Sequence, residues 1–259
     1  MERSAQDGLA RKLRDLHVSG EPLVICNVYD AATASAVCSL PQVAAIGTAS
    51  YAIAATQGIE DDDMTLEQNM VSIKNVAAAV AKTPLPLTAD LQDGYRDVKE
   101  TVRRAIELGA VGCNIEDVDN ATHELRPLED AVNRVKLAIE AAAEAGVPNF
   151  AVNARSDALP MGGTIEDTIT RGRAYLDAGA NTVFVWGGGG GRGVSRDEVT
   201  KLVQAFDGRL NVKLKMGPGS LTVNELKEMG VARISVGPEL FQVAMTAFKE
   251  AAAGLLGGQ

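Results

Sequence analysis

Residues 107–117 read E-L-G-A-V-G-C-N-I-E-D, and the change of periodicity inside them decides the fold. The spacing of apolar residues ahead of them predicts a helix over 98–108. Gly109 then supplies the left-handed residue that ends a helix, and a short apolar run over 111–115 predicts a strand. The same device recurs as D-A-G-A-N at 177–181 and E-M-G-V-A at 228–232. Working outward, strands are predicted at 23–27, 43–48, 85–90, 111–115, 150–153, 182–186, 211–214 and 232–236. Helices are predicted between and after them at 67–81, 98–108, 128–145, 165–178, 196–206, 223–229 and 240–255. Eight strand–helix units make an α/β protein of the (β/α)8 TIM-barrel class. An open doubly wound sheet is the alternative, but no G-x-G-x-x-G follows the first strand.

The 259 residues carry no Ser/Pro-rich tract, charge block or composition shift, so one barrel domain over 1–259 is expected, with 1–18 as a helical N-terminal extension. A net charge of -9 argues against a nucleic-acid or anionic-membrane partner, both of which need a basic face. A small anionic substrate needs only a locally positive pocket. The N-terminal segment alternates charge with apolar residues, unlike a signal peptide, and no apolar run is long enough to span a membrane. Cys26, Cys38 and Cys113 lack C-x-x-C spacing, which points away from zinc and disulfides and toward a reducing, cytoplasmic compartment.

In parallel α/β folds the chemistry sits at the C-terminal ends of the strands, and residues two apart share a face of a strand. At the third strand end, L-P-L-T-A-D-L-Q-D puts Asp90 and Gln92 on the face of Thr88. At the fourth, Glu116 shares a face with Asn114, while Cys113 faces the helices. Two carboxylates on adjacent strand ends repel unless something positive lies between them, and a hard cation such as Mg2+ with water as further ligands satisfies that demand. Taken singly, either acid could instead cap the next helix or pair with a basic neighbour.

At the fifth strand end, V-N-A-R-S-D gives Asn153, Arg155 and Asp157 one parity. Arg155 could then clamp a carboxylate or phosphonate in two-pronged fashion, or fill the mouth as an ion pair with Asp157 or Glu116. The run V-F-V-W-G-G-G-G-G-R-G at 183–193 lacks the Gly-Lys-Ser/Thr of a phosphate loop and reads as a mobile loop near the pocket. Trp186, at its start, is a pocket wall or core. His123, in the loop after Glu116, is a candidate general acid, whereas His17 reads as a surface bystander. No nucleophile elbow is present.

In order, A-I-G-T-A-S (45–50), G-I-E-D-D-D (58–63), T-A-D-L-Q-D-G-Y (88–95), N-I-E-D (114–117), L-R-P-L-E-D (125–130) and V-N-A-R-S-D (152–157) resemble the isocitrate lyase/phosphoenolpyruvate mutase superfamily. The resemblance is greatest to its short, carboxyphosphonoenolpyruvate phosphonomutase-like members. It implies a Mg2+-dependent barrel, with Mn2+ as the other option, acting on a 2-oxo or 2-hydroxy acid through an enolate-like intermediate. Ser50 and Tyr51 match the loop whose backbone amides meet the substrate carboxylate. Asp90 matches the direct metal ligand, Glu116 a water-mediated one, Asp61 an acid near the metal's water shell, and Arg155 the substrate clamp. Exchange of the last helix between subunits is implied as well, hence a homodimer or homotetramer.

The departures bear on the reaction. The lyases carry K-K-C-G-H or K-R-C-G-H after the fourth strand, where this chain has V-D-N-A-T-H-E-L-R-P (118–127). The second acid of the metal motif is Gln92, and Trp186 stands where the mutases have His. A lyase or decarboxylase is the leading expectation. Phosphonopyruvate-type P–C mutase or hydrolase chemistry and a non-catalytic carboxylate-binding role are the alternatives.

Overall fold

The computed structural model describes residues 2–189 and 192–257, so Gly190 and Gly191 of the glycine run lie outside the described residues. Helix α1 (Arg3–Asp15) leads into β1 (Leu23–Ile25) and β2 (Asn27–Val28), followed by α2 (Ala31–Cys38), β3 (Ile46–Thr48) and α3 (Ser50–Gln57). A 3-10 turn (Asp61–Asp63) precedes α4 (Leu66–Val80), β4 (Leu87–Asp90), α5 (Val98–Glu107) and β5 (Gly112–Glu116). A small hairpin, β6 (Val118–Asp119) with β7 (Glu124–Leu125), comes before α6 (Leu128–Glu144) and β8 (Ala151–Ser156). The chain continues through α7 (Ile165–Asp177), β9 (Thr182–Val185), α8 (Arg196–Ala205), β10 (Leu210–Lys213), α9 (Val223–Glu228), β11 (Arg233–Ser235) and α10 (Glu239–Leu256).

The main sheet runs β1-β11-β10-β9-β8-β5-β4-β3-β2, with every pairing parallel. Its two ends, β1 and β2, are consecutive pieces of one strand interrupted at Cys26, so the sheet closes on itself as eight strand positions. This is the expected (β/α)8 barrel. Helix boundaries follow the sequence signals. Thr65, Thr164, Ser195 and Thr222 each form a reciprocal capping box with the residue three positions on. Gly109 and Gly179 take φ of 107° and 104° where the preceding helices stop. Helices α2 and α3 and the β6–β7 hairpin were not among the predicted elements.

Outward-facing strand residues such as Ala89, Cys113, Val152 and Ala154 are buried against the helices. The barrel interior is unusually polar for this fold, whose centre is ordinarily filled by branched apolar side chains. Asn153 donates to Asn114 Oδ1 (2.7 Å), Thr182 donates to Asn153 Oδ1 (2.7 Å), and Asn211 donates to Ser235 Oγ (3.0 Å). Arg233, fully buried, reaches Asn114 Oδ1 at 3.4 Å. These bonds tie non-adjacent and adjacent strands together across the barrel and fix its register beneath the mouth.

At the opposite end α1 serves as a plug. A Cβ at Gly112 would lie 2.7 Å from Leu13 Cδ2 and from Ala151 O, so only glycine lets this helix seat so closely. His17 is not the surface residue the sequence suggested. Its Nδ1 lies 2.7 Å from Leu13 O, its Nε2 is buried without a partner, and burial followed by the nearby Arg233 charge lowers its pKa to about 3. At the other terminus, α10 has 18 residues and none of them is buried, although Phe241 meets Tyr29 edge-on at 5.2 Å.

Candidate active site

The strand ends gather the acids. Asp90 closes β4: its N–H donates to Thr48 Oγ1 (2.8 Å), its carbonyl accepts from Asn69 Nδ2 (3.0 Å), and its Oδ2 accepts from the Ser50 N–H (3.2 Å). That last bond uses a backbone N–H at the start of α3, where free donors make a favourable anion position. Asp61 arrives from the 3-10 turn. Its Oδ2 accepts from Ser50 Oγ (3.2 Å), while Gln92 Nε2 donates to its backbone carbonyl (2.6 Å) and to its Oδ1 (3.1 Å). Burial, then the neighbouring Asp90 charge, raises the Asp61 pKa to about 6.

Glu116 ends β5 and is buried, with its carboxylate against Arg155 Nη1. Burial pushes its pKa well up; Arg155 opposes that push, while Asp157, Asp90 and Asp61 add to it. Arg155, on β8, also donates from Nε (3.0 Å) and Nη2 (2.6 Å) to Asp157 Oδ1. Its guanidinium lies 4.4 Å from the Trp186 ring centroid and 5.8 Å from that of Phe184. Burial disfavours its charge, but Asp157 and Glu116 outweigh burial and hold its pKa above the ordinary guanidinium value. Asp157 is itself fixed by donating its N–H to Asp117 Oδ1 (2.7 Å), and Asp117 Oδ2 accepts from Tyr175 OH (2.6 Å). Burial raises the Asp157 pKa to about 6, against the opposing effect of Arg155.

The structure therefore brings together Ser50, Asp61, Asp90, Gln92, Glu116, Arg155 and Trp186. It places the side chains of three other candidates outside this cluster. Asn153 has both ends of its amide committed to Asn114 and Thr182 within the barrel. Tyr51, expected to act through its backbone N–H, follows Ser50 in the first turn of α3, with its side chain directed to the surface. His123 occupies the hairpin turn at φ 55°, 66% exposed, with Nδ1 at 3.2 Å from Asp62 Oδ2. Residues 118–125, in the stretch without the Cys-containing motif, form the β6–β7 hairpin. It is pinned by Arg126, which pairs with Asp93 (2.7 Å), Asp119 (3.1 Å) and Asp130 (3.1 Å).

Three supporting residues escaped the sequence reading: Thr48, Asn69 and Asp117. Asn69 left a signal, a polar residue on the buried face of α4 beside Met70 and Ile73. Thr48 and Asp117 left none, because their partners lie 42 and 40 residues away.

The donors fit a hard divalent cation. Asp61, Asp90, Glu116 and Asp157 crowd one mouth with a single guanidinium in contact, and the amide oxygen of Gln92 is buried there without a partner. Among the described residues no three His, Cys, Asp or Glu side chains form a ready-made metal cage. Mg2+ does not require one, since it commonly keeps several waters and takes only one or two carboxylates.

Comparison with known proteins adds a family. A family model described as phosphoenolpyruvate phosphomutase matches residues 13–256. A solved structure from Burkholderia cenocepacia, described as that of a phosphonomutase, superposes with a TM-score of 0.85 at 34% identity, covering 98% of this chain and 100% of that one. A Mycobacterium tuberculosis protein of uncharacterised function is 30% identical over 250 residues, 95% of this chain and 89% of that protein. The 2,3-dimethylmalate lyase of Eubacterium barkeri is 28% identical over 186 residues, 68% of this chain and 62% of the lyase.

Proposed function

This chain belongs to the phosphoenolpyruvate phosphomutase family, within the isocitrate lyase/phosphoenolpyruvate mutase superfamily, and from that premise we propose a carbon–carbon lyase or decarboxylase acting on a small 2-oxo or 2-hydroxy carboxylic acid. The observation that carries the proposal is Arg155. It is locked by Asp157, paired with Glu116 and covered by Trp186, beside an acid cluster at the strand ends. A planar guanidinium held in this way is prepared for two-point recognition of a substrate carboxylate.

Asp90 would hold Mg2+ (or Mn2+), with Asp61, Glu116 and the Gln92 amide oxygen as further oxygen donors, directly or through water. When bound, the ion supplies Lewis-acid polarisation of the substrate's 2-oxygen. The protein's own groups do the remaining work. Ser50 orients both Asp61 and Asp90. Arg155 binds the substrate carboxylate in place of its present partners and offsets negative charge as an enolate-like species forms. Glu116, its pKa raised by burial, can take up a proton at its carboxylate when Arg155 turns to the substrate. Trp186 and Phe184 keep water from the guanidinium.

The test is calorimetry with oxalate, which resembles a pyruvate enolate, with and without Mg2+, together with turnover of 2-oxo acids. Oxalate binding should require Mg2+, and Asp90→Ala should abolish both binding and turnover. Turnover unaffected by chelator would defeat the reading. The kinship with a protein described as a phosphonomutase supports a second reading, P–C bond chemistry, which phosphorus NMR on phosphonopyruvate would reveal. An 18-residue helix with no buried residue, bearing Phe248 at 71% exposure, supports a homodimer or homotetramer formed through α10. No described helix is long and apolar enough to cross a membrane, and the free cysteines suit a cytoplasmic setting.

A further inference from the structure

We propose that Tyr175, buried in the helix layer on α7, is a positioning residue that sets the aim of the Arg155 guanidinium through Asp117 and Asp157; this rests on the function proposed above. Glu116 ends β5 facing the mouth, and Asp117, one residue on, turns the other way, toward the helices. There Asp117 is only 2% exposed, and its carboxylate needs donors. Helix α7 brings two, four residues apart on one face: Tyr175 OH donates to Asp117 Oδ2 at 2.6 Å, and Arg171 Nη1 donates to the same oxygen at 3.3 Å. The other oxygen, Oδ1, accepts the Asp157 N–H at 2.7 Å. A single carboxylate thus ties α7 to the residue that follows β8.

Asp157 transmits that anchorage to the clamp. Its backbone is held by Asp117, and its Oδ1 takes both Nε and Nη2 of Arg155, which leaves Nη1 to Glu116. Two acids compete for one guanidinium, so the position of Asp157 decides which edge Arg155 turns to the mouth. The two α7 donors divide the work. Arg171 supplies charge, and its Nη2 is spent on the Arg126 carbonyl at 2.9 Å. Tyr175 supplies direction: its oxygen accepts from Arg171 Nη1 at 3.4 Å, which turns its own proton onto Asp117. Burial and then the Asp117 charge push the Tyr175 pKa up, so the phenol stays a donor. Replacing Tyr175 with Phe removes one bond and leaves the buried Asp117 charge balanced by Arg171, which separates orientation from charge.

The experiment measures oxalate affinity by calorimetry in the presence of Mg2+ for the wild type, Tyr175→Phe, Arg155→Lys and the double variant, with Mg2+ affinity measured separately. Tyr175→Phe should weaken oxalate binding about tenfold, the effect of one hydrogen bond to a charged group. It should leave Mg2+ affinity unchanged, because Asp90 and Asp61 are held by Thr48, Ser50, Asn69 and Gln92 instead. In the Arg155→Lys background, where no planar guanidinium remains to be aimed, it should cost less than about twofold. Unchanged oxalate affinity, a loss that persists undiminished in Arg155→Lys, or a parallel loss of Mg2+ affinity overturns the proposal. Should Arg155→Lys bind oxalate too weakly to measure, NMR of the Arg155 Nε–H in ligand-free protein decides: a signal shifted by Tyr175→Phe supports the proposal and an unchanged one overturns it. If Tyr175→Phe does not fold, Asp117→Asn, which weakens the same chain of bonds at its middle, takes its place with the same outcomes. Failure of the wild type to bind oxalate indicts the underlying function instead, and the Nε–H signal still judges the role of Tyr175.

Discussion

Replacing Asp61 with Asn should stabilise the metal-free protein near neutral pH and have progressively less effect in acid. Asp61 has a folded pKa of about 6 against an ordinary value of 3.8. Folding therefore takes up a proton between those values. The penalty of holding Asp61 ionised is absent below the lower value, grows between the two, and is complete above the higher one. At full strength that shift is worth about 3 kcal/mol; solvent screening of a partly exposed carboxylate reduces it to on the order of 1.5 kcal/mol. Asparagine preserves the contacts. Its amide oxygen can face Gln92 Nε2 and its NH2 can donate to Ser50 Oγ, which accepts as readily as it donates. For a chain of this size the gain corresponds to a rise in Tm of roughly 3–6 °C. Urea unfolding of wild type and Asp61→Asn with chelator present, at pH 7.5 and pH 4.5, measures it. By pH 4.5 the advantage should fall to about a third. Millimolar Mg2+ should also shrink it at pH 7.5. An Asp61→Asn protein less stable than wild type at pH 7.5, or a difference independent of pH, would refute an Asp61 charge disfavoured by burial and then by Asp90 in the absence of a cation.

Arg155→Met leaves Glu116 and Asp157 buried without their cation, a loss of about 3–5 kcal/mol at pH 8. The loss should be smaller at pH 5, where both raised carboxyls take up protons, and equilibrium unfolding at the two pH values checks this. His123→Ala should change turnover by less than about threefold, because a group engaged as general acid contributes on the order of a hundredfold or more. A hundredfold loss would return His123 to the chemistry despite its exposed pairing with Asp62.

The barrel was legible because each strand is a short apolar run following a helix that ends on glycine, and that signal is local. The mouth was legible through parity: Asp90, Glu116 and Arg155 were expected to share it, and in the structure Glu116 pairs with Arg155 while Asp90 lies among their electrostatic neighbours. Other features were hidden for physical reasons. Helix α2, A-A-T-A-S-A-V-C, is made of small residues with almost no amphipathic contrast and offers no period to read. The β6–β7 hairpin has two residues per strand and is held by Arg126, whose partners come from three separate segments. Parity also overreached. It gave Asn153 the same inward direction as Arg155, but depth in the barrel decides whether an inward residue meets substrate or its neighbours. Two residues lower, Asn153 is consumed by the hydrogen-bonded layer. His17 was misjudged because a charged, amphipathic N-terminal segment reads as surface unless the hole it fills is known.

The chain contains a single tryptophan, and its ring is the one stacked against Arg155. Indole emission responds to a nearby charge, so displacement of the guanidinium by a bound anion must alter the protein's intrinsic fluorescence. The site thus carries its own optical probe. Ligand occupancy, the rate at which the arginine changes partners, and the effect of added Mg2+ on both can be followed in unlabelled protein. A ligand that binds without changing the emission is bound somewhere other than the clamp.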